Sequence, residues 1–118
     1  MPRISIQAAK SKGRKLQQWV RDAILKLIPA LSLDDVKSCP MGSQGADIML
    51  SSAAQTAFPF DVECKARANG FTPLYDALEQ ADRKRGLTPI AVVKQDRRDP
   101  LVVMRATDWF KLVEARLP

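Results

Sequence analysis

The first pattern along the chain is a spacing of apolar residues typical of an α-helix. Between residues 12 and 28 apolar side chains recur at intervals of three and four, with polar and basic residues between them. This spacing puts one apolar stripe along a helix, which can then pack on a core. It predicts an amphipathic helix from about Lys12 to Ile28, ended by Pro29, with a stripe made of Leu16, Trp19, Val20, Ala23, Ile24, Leu27 and Ile28.

The second pattern is a strict alternation over residues 58–66, which read FPFDVECKA. Successive side chains of a β-strand point to opposite faces, so alternation predicts a strand with one apolar and one polar face. The apolar face holds Phe58, Phe60, Val62 and Cys64, and the polar face holds Asp61, Glu63 and Lys65. Two shorter strands are predicted before it, at 34–40 and 45–50, with SSAAQTA (51–57) as a loop.

The second half of the chain predicts a helix, two strands and a helix. Thr72 and Pro73 suit the start of a helix over 73–85, which Gly86 would close. The apolar run 88–95 is typical of a strand buried on both faces, and the turn DRRDP leads into a strand at 101–106. A last helix is predicted over 107–117, capped by Thr107 or Asp108.

The predicted element order is therefore α-β-β-β-α-β-β-α. The third strand, the helix after it and the fourth strand would form a right-handed crossover, which gives an α/β fold with a mixed β-sheet flanked by helices. A chain of 118 residues is long enough for one core, so a single domain over residues 1–118 is expected.

Composition excludes several kinds of chemistry. The chain contains no histidine, which removes Ser-His-Asp triads, Cys-His pairs, histidine bases and HExxH zinc motifs. Its two cysteines, Cys39 and Cys64, are expected to be free thiols. No signal-peptide pattern and no long apolar run are present, so a soluble, cytoplasmic protein without a membrane partner is expected.

Charge indicates a polyanionic partner. The formal net charge is +6, and residues 1–21 carry six basic side chains and no acid. A basic N-terminal arm is predicted over residues 1–11, and nucleic acid is the expected partner. The candidate nucleic-acid contacts are Lys10, Lys12, Arg14, Lys15, Ser43 and Arg67. A solvated surface helix explains Arg14 and Lys15 equally well, and a simple turn role is the alternative for Ser43.

The charged face of the 58–66 strand suits metal-dependent phosphate chemistry. Glu63 and Lys65 project to the same side. A glutamate there can ligate Mg²⁺, and a lysine can hold a water or offset charge on a phosphate. One carboxylate holds a cation weakly, so Asp47, at the start of the preceding strand, is the expected second acid. The carbonyl of Cys64 is a further candidate ligand. The alternative is an ordinary strand with a solvated ion pair.

Asp47 followed by Glu63-Cys64-Lys65 resembles the PD-(D/E)XK nuclease superfamily. The segments MGSQGADIML (41–50) and FPFDVECKA (58–66) are similar to segments of small phage-encoded members, which have relatives among Holliday-junction resolvases. The resemblance implies an αβββαββα restriction-endonuclease-like core. It also implies a metal site at Asp47, Glu63 and the Cys64 carbonyl, a catalytic lysine at Lys65 and an assisting glutamine at Gln80.

Two residues depart from the family pattern. Ala46 stands where many members have proline before the first acid. The first helix has no glutamate, and Gln17 or Gln18 stands where resolvase-like members have one. The missing carboxylate favours one metal ion over two.

These observations predict a Mg²⁺-dependent DNA endonuclease, with Mn²⁺ as a substitute cation. It would select double-stranded or branched DNA by structure rather than sequence, as a homodimer, in the host cytoplasm if phage-encoded. A Holliday-junction resolvase acting as a homodimer is the first alternative. A non-catalytic nucleic-acid-binding module of the same fold is the second, and a phage protein that binds a host protein is the third.

Overall fold

A computed structural model describes residues 6–40 and 47–117. Within these residues the protein is mixed α/β, with four helices and two small antiparallel sheets. The elements are α1 (Ile6–Leu27), β1 (Val36–Ser38), β2 (Ile48–Leu50), α2 (Ser52–Ala57), α3 (Thr72–Ala81), β3 (Ala91–Val93), β4 (Leu101–Val103) and α4 (Ala106–Glu114). The chain divides into two compact units, Met1–Arg67 and Ala68–Pro118, called here the first and second unit.

Helix α1 confirms the predicted amphipathic helix and extends it toward the N-terminus. The added turns contain alanines and no proline or glycine, a composition that favours helix. The helix ends at Leu27 because Pro29 disfavours helical backbone in the residue before it. Ile24 is fully buried against the first unit's core, whereas Trp19 of the same stripe remains 45% exposed.

The two strands of the first unit form an antiparallel pair close to the predicted positions. Val36 pairs with Leu50 and Ser38 pairs with Ile48. Val36 and Ile48 are buried, and they supply the core on which α1 packs. The backbone pairing continues one step further, since the Cys39 N–H donates to the Asp47 carbonyl at 2.8 Å.

The predicted loop at 51–57 is wrong, because α2 occupies it. Ser51 caps this helix: its Oγ accepts a hydrogen bond from the Ala54 amide at 3.1 Å, and Ala54 is buried. Ser51 Oγ also donates to the Asp35 carboxylate at 2.7 Å, which ties α2 to the start of β1. Serine is common in loops and also a preferred N-cap, and here the cap prevails.

The predicted strand at 58–66 is wrong as well, since no strand forms there. The side chains still alternate: Asp61, Glu63, Lys65 and Arg67 are exposed, whereas Val62, Cys64 and Ala66 are half-buried. The Cys64 amide donates to the Asp47 side chain rather than to a neighbouring strand. The predicted crossover and the single mixed sheet are therefore not formed among the described residues, where each sheet has two strands.

In the second unit α3 ends earlier than predicted. Phe71 is the N-cap, Thr72 begins the helix and Leu78 is its buried residue. Asp82 ends the helix, and Lys84 with φ of 56° cannot continue it. Gly86 is therefore a loop residue beyond the helix end and not its cap.

The last three elements lie where the sequence predicted them, with shorter bounds. Strands β3 and β4 form an antiparallel hairpin in which Ala91 pairs with Val103 and Val93 with Leu101. Ala91 is buried, but Val92 is 66% exposed, so the predicted burial of this strand on both faces is wrong. Helix α4 begins after Arg105 rather than at Thr107 or Asp108.

None of the helices in the described ranges has the length and apolar character required to cross a bilayer.

Candidate functional site

Asp47 lies at the point where β2 begins, and two hydrogen bonds fix it there. Its main-chain carbonyl accepts from the Cys39 amide at 2.8 Å, which continues the β1–β2 pairing. Its carboxylate oxygen Oδ2 accepts from the Cys64 amide at 2.6 Å. The residue thus belongs to the sheet through its backbone and holds the extended segment 61–67 through its side chain.

Glu63 and Lys65 flank Cys64 on the exposed side of this segment. Lys65 Nζ lies 3.6 Å from Glu63 Oε1, which confirms the prediction that both side chains project to the same side. The side chains are 63% exposed for Glu63 and 71% exposed for Lys65. Both charged groups are therefore accessible to a solvent-borne cation or phosphate.

The carboxylates of Asp47 and Glu63 both affect the pKa of the Cys64 thiol. Burial raises its pKa above the ordinary value, and the negative charges of Asp47 and then Glu63 raise that pKa further. Asp47 is joined to Cys64 by its hydrogen bond to the Cys64 amide, and Glu63 and Lys65 are the residues on either side of Cys64 in the chain. Asp47, Glu63, Cys64 and Lys65 form one cluster, called here the Asp47–Lys65 cluster.

The predicted magnesium site depends on the two carboxylates of this cluster. Mg²⁺ takes oxygen ligands, is often bound through one or two carboxylates, and keeps several waters or substrate phosphates. Asp47 and Glu63 provide two carboxylates, and Asp47 Oδ1 accepts no hydrogen bond from any described residue. Over residues 6–40 and 47–117 no group of three or more Cys, Asp or Glu side chains is arranged to hold a metal. The magnesium site at Asp47 and Glu63 therefore stays a prediction.

The remaining predicted site residues lie outside this cluster or outside the described ranges. Gln80 is exposed on α3 of the second unit, and its assisting role stays a prediction. Ser43 falls outside the described residues. Arg67 is exposed at the end of the first unit. The four basic residues predicted on the first helix lie on α1, where Lys10, Lys12, Arg14 and Lys15 are accessible to solvent.

Helix α1 also contains a buried glutamine. Gln17 is 5% exposed, and its side-chain oxygen has no hydrogen-bond partner in the part of the chain that the structure describes. It lies seven residues before the buried Ile24, two helical turns away and so on the same face. That spacing is the sequence signal for its burial, although the apolar stripe alone did not include it.

Both cysteines are free thiols, as predicted, with Cys39 buried and Cys64 half-buried.

Comparison of the chain with protein-family models, with curated proteins and with solved structures found no match in any of the three.

Proposed function

We propose that this protein is a Mg²⁺-dependent DNA endonuclease of the PD-(D/E)XK type, with Mn²⁺ as a substitute cation. The observation that carries the proposal is the hydrogen bond between Asp47 Oδ2 and the Cys64 amide, at 2.6 Å. It joins two segments that are 17 residues apart and brings the first acid of the motif to the Glu63-Cys64-Lys65 triplet. A chance pair of charged residues on a solvated segment has no reason to be joined in this way.

The side chains of the Asp47–Lys65 cluster divide the chemistry between them. Asp47 and Glu63, with the carbonyl of Cys64, would hold the cation, which when bound supplies Lewis-acid activation of water and phosphate. The Lys65 ammonium, exposed beside Glu63, orients the attacking water and offsets the negative charge that grows on the phosphate. The assisting role of Gln80, on α3 of the second unit, stays a prediction from the family resemblance. No histidine is needed in this scheme.

The basic residues near the start of α1 supply the DNA contacts in this proposal. Lys10, Lys12, Arg14 and Lys15 are accessible to solvent, and Lys10 and Arg14 line a surface cavity of about 540 Å³ with Ile6, Gln7 and Ser11. Ser43 and Arg67 are the further DNA contacts expected in this proposal. Contacts of this kind are made to phosphates and depend little on sequence, so the enzyme would select DNA by its structure, as a homodimer.

Cleavage assays test the proposal directly. Supercoiled plasmid and a labelled four-way junction are incubated with Mg²⁺, Mn²⁺ or EDTA, beside the Lys65→Ala variant. Lys37→Ala is the matched control, because Lys37 is an exposed lysine on β1 of the same unit. The expected result is metal-dependent cutting that Lys65→Ala abolishes and Lys37→Ala preserves. Paired symmetric nicks on the junction would identify the enzyme as a homodimeric Holliday-junction resolvase.

The second candidate function is a nucleic-acid-binding module without catalysis. It is favoured by one observation: no group of three metal-ligating side chains is assembled among residues 6–40 and 47–117. A wild-type protein that binds DNA but cuts neither substrate with either cation would support this alternative and overturn the enzymatic proposal.

A further inference from the structure

The connection between β3 and β4 carries a second group of basic residues, remote in sequence from the Asp47–Lys65 cluster and from α1. Residues 94–100 read KQDRRDP and contain three cations, Lys94, Arg97 and Arg98, called here the hairpin tip. All of these residues are exposed. Two acids, Asp96 and Asp99, lie in the same connection.

Three cations against two acids give the hairpin tip a net charge of +1, and none of these cations forms an ion pair with Asp96 or Asp99 among the described residues. Among the described residues, neither Arg97 nor Arg98 forms an ion pair, and Lys94 Nζ only approaches the Gln95 carbonyl at 3.5 Å. The same unit does pair charges elsewhere: the Asp82 carboxylate lies 3.1 Å from Lys84 Nζ and 3.5 Å from Arg105 Nη1. The hairpin tip therefore presents its positive charges to solvent.

The backbone at Arg97 is held in a conformation that arginine rarely adopts. The Arg98 amide donates to the Gln95 carbonyl at 3.1 Å, which closes a turn with Arg97 at its third position. Arg97 has φ of 66°, and glycine or asparagine is favoured at that position of a turn. The backbone conformation therefore does not account for arginine at this position.

The shape of the hairpin suits duplex DNA. A surface cavity of about 700 Å³ is lined by the three cations, together with Gln95, Asp99 and the strand ends. The β3–β4 pair is a two-stranded ribbon, which is narrow enough to enter the major groove of B-DNA. Adjacent arginines match phosphate oxygens well because each guanidinium can donate two parallel hydrogen bonds.

We propose that the hairpin tip is a second DNA contact, in which Lys94, Arg97 and Arg98 bind phosphates of the duplex backbone. The proposal rests on the proposed function only for its ligand, DNA, and not for catalysis. It gives the second unit a direct part in binding, in addition to the α1 face of the first unit.

The test compares two double variants that each remove two positive charges from exposed residues of the second unit. Arg97→Asn/Arg98→Gln changes the hairpin tip, and Lys111→Gln/Arg116→Gln is the matched control on α4 and just beyond it. Dissociation constants for a short labelled duplex are measured over a range of KCl concentrations. The hairpin variant is expected to bind about 100-fold more weakly at about 50 mM KCl, with a log–log salt slope reduced by about 2, roughly one for each phosphate that is no longer bound. The control slope should change by less than about 0.5.

Folding is checked in the same samples by thermal unfolding. Asparagine tolerates φ of 66° better than arginine, so the hairpin variant should unfold at the same or a higher temperature. The single variants Lys94→Gln and Arg98→Gln, which leave Arg97 in place, should each reduce the slope by about 1. A hairpin variant that matches its control in affinity and slope would overturn the inference and point to an acidic protein partner instead.

The outcomes separate this inference from the proposed function. If the wild-type protein binds DNA without cutting it, the endonuclease proposal is overturned. The salt slope of the hairpin variant then still tests whether the hairpin tip contacts DNA. Wild type that binds and cuts, with a hairpin variant equal to its control, overturns the hairpin tip alone. Wild type that binds no DNA overturns both.

Discussion

The carboxylate of Asp47 accepts a hydrogen bond from the Cys64 amide at 2.6 Å, a bond that a neighbouring β-strand would accept in a sheet. The same residue accepts the Cys39 amide through its main-chain carbonyl at 2.8 Å. Asp47 therefore fastens the extended segment 61–67 to the β1–β2 sheet. One residue thus has a structural contact and, in the proposed function, a metal-binding role, and these two roles can be separated by substitution.

Asp47→Asn and Asp47→Ala separate those roles. Asparagine keeps an oxygen that can accept the Cys64 amide, whereas alanine leaves that half-buried amide without its partner. We expect Asp47→Ala to lower the free energy of unfolding by about 1–2 kcal/mol and Asp47→Asn by less than about 1 kcal/mol, with cleavage abolished in both. Urea unfolding followed by Trp19 fluorescence in a Trp109→Phe background measures the first unit. Equal stability of the two variants would contradict the structural role of the hydrogen bond.

The Cys64 thiol should titrate at lower pH when a neighbouring carboxylate is removed. Burial is the largest cause of its raised pKa, and the charges of Asp47 and Glu63 add to it because they disfavour the thiolate. Glu63→Gln or Asp47→Asn removes one negative charge, so the pKa of Cys64 falls while the effect of burial remains. The pH profile of iodoacetamide alkylation at Cys64, read by peptide mass spectrometry, gives that pKa.

Asp61→Asn provides the control for this titration. Asp61 is an exposed acid two residues before Glu63, on the same side of the segment, and it does not contribute to the raised pKa of Cys64. A downward pKa shift of equal size in all three variants would mean that the thiol responds to the net charge of the protein and not specifically to the carboxylates of Asp47 and Glu63.

The Glu63–Lys65 ion pair is expected to matter for cleavage and not for folding. Both side chains are well exposed, and a pair of that kind contributes about 0.5 kcal/mol or less to stability. The unfolding free energies of the Glu63→Gln and Lys65→Ala variants, measured by urea unfolding, should therefore equal that of the wild-type protein to within about 0.5 kcal/mol. Each should lower the cleavage rate by roughly 100-fold or more, as expected when a group that stabilises transition-state charge or its cation is removed. A parallel loss of stability and activity would instead identify the pair as a structural contact.

Most elements of this fold were predictable from sequence, whereas α2 and the backbone pairing of residues 58–66 were not. Helix α1 repeats its apolar positions over several turns, so the pattern identifies it without tertiary information. Helix α2 has six residues, too few for a period to show, and its Ser51 cap resembled a loop signal. The alternation at 58–66 correctly predicted which side chains face solvent from Asp61 onward, but alternation does not determine where the backbone amides donate.

In the candidate site too, residue spacing predicted some features, whereas others depend on tertiary contacts. That Glu63 and Lys65 share a side follows from their spacing of two in an extended segment, and the structure confirms it. The spacing suggested Asp47 as a partner acid, but its bond to the Cys64 amide depends on the way segment 61–67 returns to β2. The Asp35–Ser51 bond has no periodic or motif signal, because it joins two polar residues 16 positions apart.

The hydrogen bond between Ser51 and Asp35 should make the unfolding free energy of the first unit depend on pH. The Ser32 amide donates to Asp35 Oδ2 at 2.9 Å and Ser51 Oγ donates to Oδ1 at 2.7 Å. These hydrogen bonds hold the pKa of Asp35 below its ordinary value of 3.8. The bond from the Ser32 amide lowers the pKa most, followed by the bond from Ser51. A carboxyl group whose pKa is lowered by folding stabilises the folded state fully above that ordinary value. The stabilisation disappears as the pH falls through the lowered pKa.

Wild type and Asp35→Asn should therefore differ most in unfolding free energy near neutral pH, and the difference should narrow as the pH falls from about 5 to about 3. Asparagine has no acidic proton to bind in this window, so its own stability curve is flatter there. Urea unfolding at a series of pH values measures the difference, with Asp34→Asn as the control. That substitution removes the same charge one residue away, from a carboxylate that accepts no hydrogen bond in the described residues. A gap between wild type and Asp35→Asn that stays constant down to about pH 3 would mean that the charge of Asp35 does not strengthen its bonds to Ser32 and Ser51.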